Sequence, residues 1–325
     1  MNLAQIAVHL AVPLPSILIL EDDPIYLDSF YSTLEEMVAS SGSFIFPLYG
    51  LGTFSPEIRW LHDEIELHQV EDFFASAALR ECEHLVFSIE VPYEEEEDAE
   101  LLLPGIVMKR ISDFLIMVNL CHPGLIELKT SELVHNGILQ EHTSLPKMDG
   151  ISIQSALVYS GKMNWPHLRT LKLIDAWNWH LQRKTYLEME GFENDPTSRA
   201  INAFSRLFES PTMDIAMHLV WAMVGIEALY VRGKDSVMQQ VRDKVPSVLG
   251  EHEMFKKGFK KMYEFRSRFI HGDLDIPGLY HLGDAGAEIE KYHTDQERTV
   301  SFAVAILTAS LQEIITGNWK MPEST

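Results

Sequence analysis

Arg266, Ser267 and His271 are the residues of this 325-residue chain whose types and spacing best suit chemistry. The Arg266 guanidinium is planar and always charged, and its N–H fork matches phosphate oxygens that gain charge in a transition state. The His271 imidazole, with an unperturbed pKa of about 6.5, takes or gives a proton near neutral pH. An Arg and a His converging on a phosphodiester are enough for attack of a ribose 2′-hydroxyl on the adjacent phosphate. That reaction calls for no cofactor and no metal. Ser267 and His271, four apart, share a helix face, whereas Arg266 must reach partly around the helix to meet the imidazole.

Spacing alone carries little. With 12 Arg and 14 His in the chain, about 1.5 Arg-x(4–6)-His matches are expected by chance. A His before Gly at a helix end also caps carbonyls and suits the helix dipole, with no part in a reaction. The weight falls on the surrounding segment. Phe255, Phe259, Met262, Phe265, Phe269 and Ile270 recur at helical spacing and predict one buried stripe on a helix over Glu251–Ile270. Lys256, Lys257, Lys260 and Lys261 then form a basic face on its other side. That face serves either as an RNA-binding surface, joined by Arg268, or simply as solvated helix.

Tyr263-Glu-Phe-Arg266-Ser267-Arg-Phe-Ile-His271-Gly272 closely resembles the signature of the HEPN superfamily, in particular its ApeA-like branch. There a Tyr-x-x-Arg-Ser/Asn segment on a long helix leads into His-Gly. Trp221-Ala-Met-Val-Gly-Ile226-Glu227-Ala228-Leu229-Tyr230 resembles the Ile-Glu-Ala-Leu stretch of that branch's earlier helix. The resemblance spans roughly residues 197–325. It implies a compact helical bundle, a homodimer, and a metal-independent endoribonuclease of toxin or antiviral-defence type. Arg266 then stabilises the transition state and His271 does the acid–base work. Ser267 takes the place of the polar residue after the Arg, more often Asn, Asp or His in the wider superfamily. Glu227 either orients Arg266 or is a plain salt-bridge partner, and Tyr263 lines the cleft or contacts a base. The same resemblance admits a second reading, a non-catalytic HEPN module that binds RNA or protein under control of the acidic N-terminal region.

The elements that must hold these residues follow from periodicity and breakers. Asn194-Asp195-Pro196-Thr197 supplies a break and helix-start chemistry. After it, helices are expected over Ser198–Glu209, Met213–Val231 (Thr212 as cap, Gly233 as stop), Asp235–Val245 (stopped near Pro246), Glu251–Ile270 and Thr294–Thr316, with a loop over 275–286. Met217 and Trp221 are expected in their core. Before it, Ser16–Leu20, Phe44–Leu51, His84–Val91 and Gly150–Tyr159 read as strands, while Ile25–Ala39 and Leu102–Leu120 read as helices. The acidic run Glu94 to Asp98 reads as a solvated loop. The expectation is therefore α+β: a mixed α/β region over 1–195, then an all-α helical bundle over 197–325.

Charge divides the chain the same way. Residues 1–196 carry 11 Lys+Arg against 31 Asp+Glu, and residues 197–325 carry 15 against 17. A polyanion such as RNA needs Lys and Arg, so its site belongs in the second part. The acidic first part suits an inhibitor or trigger protein, or competes electrostatically for the basic face. Met1–Leu20 is apolar but interrupted by Pro13 and Pro15, and reads as a buried strand rather than a signal peptide or membrane span. With no long apolar run and only Cys82 and Cys121, a cytoplasmic protein away from membranes is expected. Cys82-x-His84 with Cys121-His122 would make a poor zinc site, because adjacent ligands fit tetrahedral geometry badly. His62-Asp63-Glu64 is the other metal-type triplet. Trp165, Trp177 and Trp179 read as one cluster of core or inter-domain packing rather than a stacking platform.

Overall fold

A computed structural model describes residues 2–15, 24–48, 52–61, 82–93, 97–183, 195–208, 215–233, 236–274 and 287–319. The chain divides into two compact units: Met1–Gly150 with Thr170–Phe192, and Ile151–Arg169 with Glu193–Thr325. The fold class is α+β. Among the described residues, sheet and helices build the first unit and helices alone build the second.

In the first unit, Ala4, Ile6, Val8, Leu10 and Val12 alternate along β1 (Asn2–Pro13), so the period of two buries them all on one face. β1 is the middle strand of an antiparallel sheet, order β4–β5–β1–β6–β7. It pairs along its whole length with β5 (Cys82–Tyr93), from Asn2↔Tyr93 to Pro13↔Cys82. On its other side lies β6 (Thr130–His135), and β4 (Glu57–Leu61) and β7 (Ile138–Leu139) form the edges. β2 (Phe46–Leu48) and β3 (Gly52–Phe54) make a separate two-stranded sheet where one strand over Phe44–Leu51 was expected. α1 (Pro24–Ala39) and α2 (Glu97–Cys121) cover the two expected helices. Glu97 and Asp98 open α2 instead of lying in a loop. Residues 94–96, the strand expected over Ser16–Leu20 and the His62-Asp63-Glu64 triplet lie outside the described residues.

Phe114 of α2 is the hub of this core, its ring centroid 4.8 Å from Phe44 and 5.3 Å from Trp177. Trp177, on α4 (Leu173–Leu181), donates its indole N–H to the Ile45 carbonyl at 2.9 Å. The three tryptophans are not one cluster: Trp177 belongs to this core, Trp179 lies under the Arg183 guanidinium, and Trp165 belongs to the other unit.

The second unit is built on α9 (Ala287–Ile315). Phe302 to Leu307 are buried consecutively, so the helix is surrounded on all sides. Its Thr294–Ile315 stretch is long and apolar enough to cross a membrane, and 83% of that apolar window is buried inside the protein. Two glycines set how closely its neighbours approach. A Cβ on Gly225 of α6 (Ile215–Tyr230) would meet Leu307 at 2.7 Å, and one on Gly258 of α8 (Phe255–His271) would meet Phe302 at 2.8 Å. α5 (Pro196–Ser205) starts as its sequence dictates, with Asp195 accepting from the N–H groups of Thr197 and Ser198 and Pro196 in the first turn.

Four expectations are corrected here. Gly150–Tyr159 is not a strand: Ile151–Met163 forms helix α3, burying Ile153, Ala156 and Ser160 at helical spacing. α3 and the segment to Arg169 belong with the helical unit, which therefore begins well before residue 197. Pro246 does not stop α7 (Val237–Leu249), whose buried Val241 and Val245 pack the turns before it while the helix runs on to Leu249. The carbonyls of Leu249 and Gly250 at its end accept from Trp165 Nε1, each at 3.1 Å. Met217 and Trp221 are half-buried rather than core, and α6 turns Leu219, Ala222, Met223 and Ile226 inward in their place.

Candidate functional site

α8 carries the candidate residues, and its end is fixed by a backbone device. Gly272 sits in the left-handed region at φ 74°. Its N–H reaches the Phe269 carbonyl at 3.3 Å, and the Asp273 N–H reaches the Arg268 carbonyl at 2.8 Å. This double closure ends the helix one residue past His271 and leaves the imidazole exposed at its rim. Arg268 serves the same closure, its guanidinium donating to the Asp273 carbonyl at 3.2 and 3.4 Å.

Arg266 is positioned from the neighbouring helix. Glu227 of α6 faces it with Oε2 3.7 Å from Nη2, and Glu227 Oε1 accepts from the Tyr263 hydroxyl at 3.3 Å. One carboxylate thus ties together two residues of α8. Tyr263 also packs on Phe259, with centroids 4.7 Å apart. Burial raises the Tyr263 phenol above its ordinary pKa of 10, and the Glu227 charge and hydrogen bond raise it further, so Tyr263 stays a neutral hydroxyl. Arg266 keeps 34% of its side chain exposed, so the guanidinium is anchored but reachable.

Arg266, Ser267 and His271 line one open cavity of about 1250 Å³ that runs between α7 and α8. Lys256, Lys260 and Tyr263 line it from α8, and Met238, Arg242 and Pro246 line it from α7. The expected lysine face is divided. Lys256 and Lys260 border this cavity, with Lys260 also 3.5 Å from Glu264. Lys261 and Arg268 border a second one of about 660 Å³, where Lys261 lies 3.3 Å from Asp295. Lys257 is exposed and lines neither. The apolar stripe is shorter than expected: Phe255, Phe259 and Met262 are buried, Phe265 and Phe269 half-buried, and Ile270 is 54% exposed on the cavity wall.

Such a wall offers a fixed cation, a proton-transfer group and two flanking ammonium groups to one extended anion. A cavity above the range of about 300–1,000 Å³ usual for small-molecule pockets suits a stretch of polymer. The carboxylates of Asp243, Glu251 and Glu264 also line it, and so do Arg242 and His252, which the sequence had not singled out. Neither of these last two sits in a motif, and only the α7–α8 packing brings them to the groove.

Among the described residues, no three of His, Cys, Asp and Glu come together as metal ligands. His122, one of the weighed zinc ligands, instead places Nε2 2.9 Å from Glu36 Oε2. Compared with protein-family models, with curated proteins and with solved structures, the chain matches none of them.

Proposed function

We propose that the helical unit is a HEPN-type domain acting as a metal-independent endoribonuclease of the toxin or antiviral-defence kind. The observation that carries this reading is the meeting of Arg266, anchored by Glu227, with Ser267 and His271 on the wall of one open cavity. His271 takes the proton from a ribose 2′-hydroxyl as its oxygen attacks the adjacent phosphorus. The bond to the 5′-oxygen breaks, and that oxygen takes up a proton. Arg266 neutralises the charge that collects on the non-bridging oxygens. The products are a 2′,3′-cyclic phosphate and a 5′-hydroxyl. Lys256, Lys260 and Arg242 hold flanking phosphates. Lys261 and Arg268 extend the contact over the far side of α8, and Lys257 adds only diffuse charge.

The reaction needs a proton acceptor and then a donor, which two copies of His271 supply in a homodimer. Val224, 41% exposed, and Ile270, 54% exposed, give apolar area beside the Glu227–Arg266 pair for that contact. The helical unit carries 17 basic against 19 acidic residues, and the sheet unit 9 against 29. The sheet unit thus suits an inhibitor or trigger protein with a basic face. Two cysteines that form no disulfide with each other suit a cytoplasmic setting.

The test is incubation of the full chain with total RNA in EDTA, beside Arg266→Ala and His271→Ala. Cleavage that persists in EDTA, disappears in both variants and leaves 2′,3′-cyclic phosphate ends supports the reading. Intact RNA with the unaltered chain, or cleavage indifferent to both substitutions, overturns it.

A further inference from the structure

Where α7 gives way to α8, the wall of the large cavity is His252. Its imidazole lies nearly flat on the Trp165 indole, with centroids 5.5 Å apart and planes 13° apart. Trp165 is itself immobilised: buried, doubly hydrogen-bonded to the end of α7, and edged by Phe255 at 5.6 Å. The Met254 N–H donates to His252 Nδ1 at 3.3 Å, so the neutral ring carries its proton on Nε2. The outcome is a half-buried ring whose orientation is set before any ligand arrives. A pre-set aromatic face loses little freedom on binding, and stacking is how proteins hold unpaired bases. Lys256, Lys260, Arg266 and Arg242 line the same cavity and can hold a phosphate backbone, which must pass the carboxylates of Glu251, Glu264 and Asp243.

We infer that His252, seated on Trp165, is a nucleobase-stacking position for single-stranded RNA lying along the α7–α8 groove, several nucleotides from the phosphate that is cut. This deepens the endoribonuclease reading and rests on it. Distance supports the separation. The 17 residues of α8 rise about 24 Å from Phe255 to His271, a span of at most about seven nucleotides at roughly 3.4 Å each. Duplex RNA does not satisfy the position, because a paired base has both faces covered by its neighbours.

The test uses the full chain with ten-nucleotide RNAs that carry one 2-aminopurine at successive positions. With His271→Ala as the non-cleaving background, fluorescence is quenched at one position several nucleotides from the cleavage point. Quenching disappears on adding His252→Ala, returns with His252→Phe, and is absent when the RNA is annealed to its complement. In kinetics, His252→Ala raises KM for the ten-nucleotide RNA about 5- to 100-fold, leaves kcat unchanged, and spares a dinucleotide too short to reach. The inference is overturned if no position shows His252-dependent quenching, if the dinucleotide suffers equally, or if His252→Phe behaves as His252→Ala. The fluorescence measurement needs no cleavage. An inactive chain that still shows the quench loses the ribonuclease reading and keeps the stacking position.

Discussion

Glu227 holds Arg266 from across a helix boundary, its Oε2 3.7 Å from the guanidinium Nη2, while its other oxygen receives the Tyr263 hydroxyl. The pair is partly open to solvent, so its worth in folding is small, about 0–1 kcal/mol. On the proposed ribonuclease reading its worth in orientation is larger, because an arginine fork must meet developing charge at a set angle. Glu227→Gln keeps the shape and removes the charge. We expect kcat to fall about 10- to 100-fold through misplacement of Arg266, with KM little changed and thermal stability nearly unaltered. Loss of the carboxylate also lowers the Tyr263 pKa, which an ultraviolet titration of phenolate reads independently of activity. Normal kcat together with an unmoved tyrosine titration counts against the positioning role.

Gly258 lies in mid-helix, where alanine is ordinarily better by about 0.5–1 kcal/mol. Here a Cβ would stand 2.8 Å from two ring carbons of Phe302, a buried residue of the central helix. Overpacking of this kind costs about 1–3 kcal/mol, which exceeds the propensity gain. Gly258→Ala is expected to lower the denaturant midpoint without changing the slope. Gly42, whose added Cβ meets nothing, is the control that leaves it unchanged.

Acid should weaken the sheet unit before its carboxylates titrate. Burial, aided by the Arg59 and His84 charges, lowers His9 from 6.5 to about 4. Burial, with Arg183, Lys109 and Arg110 adding to it, lowers His180 to about 3. Both are neutral in the folded chain at pH values where the unfolded chain protonates them. The unfolded state therefore binds more protons between pH 6.5 and about 4, and stability rises with pH across that window. Stability is complete above pH 6.5 and is lost as pH falls, by as much as about 3 kcal/mol for His9 alone. Denaturant unfolding at pH 7.5, 6 and 5 measures it. His9→Phe, which cannot protonate, is expected to flatten the slope, and a slope identical to that of the unaltered chain removes His9 from the account.

The sequence made α8 readable because its stripe, its lysines and its His-Gly ending are all local to one helix. Arg266 and His271 were named from that stretch, and the structure puts both on one wall. The partners from elsewhere divide by whether a motif carried them. Glu227 stood in the Ile-Glu-Ala-Leu stretch, whereas Arg242 and His252 reach the groove, and Trp165 reaches His252, through tertiary packing that no local pattern encodes. Gly150–Tyr159 misled for a related reason. Ile151, Ile153, Leu157 and Val158 raise strand propensity, but packing on a neighbouring helix decides the outcome. Pro246 misled because a proline is tolerated late in a helix whose buried valines and end carbonyls are otherwise satisfied.

The placement of α3 makes the strongest claim about where the helical unit begins. Ser152 Oγ is hydrogen-bonded to His218 Nδ1 of α6, and Tyr159 meets Phe302 of α9 edge-on at 6.2 Å. Downstream, the Arg169 N–H donates to Gln312 Oε1 at 2.9 Å, Gln312 Nε2 donates back to the Arg169 carbonyl at 2.7 Å, and Arg169 pairs with Glu313. Trp165 fills the space among Phe255, Phe302 and the end of α7. A fragment starting at residue 197 lacks all of this. It exposes the buried side of α9 and leaves a hollow where the indole stood, and removal of a buried tryptophan side chain alone costs about 3–5 kcal/mol. That approaches the whole stability of a domain of this size, about 5–15 kcal/mol. The 197–325 fragment is therefore expected to lack a cooperative melt, and adding the 151–169 segment in trans as a peptide is expected to restore part of it. Within the full chain, Trp165→Ala should lower the melting transition by several degrees. A 197–325 fragment that melts cooperatively near the temperature of the intact chain shows that α3 is dispensable.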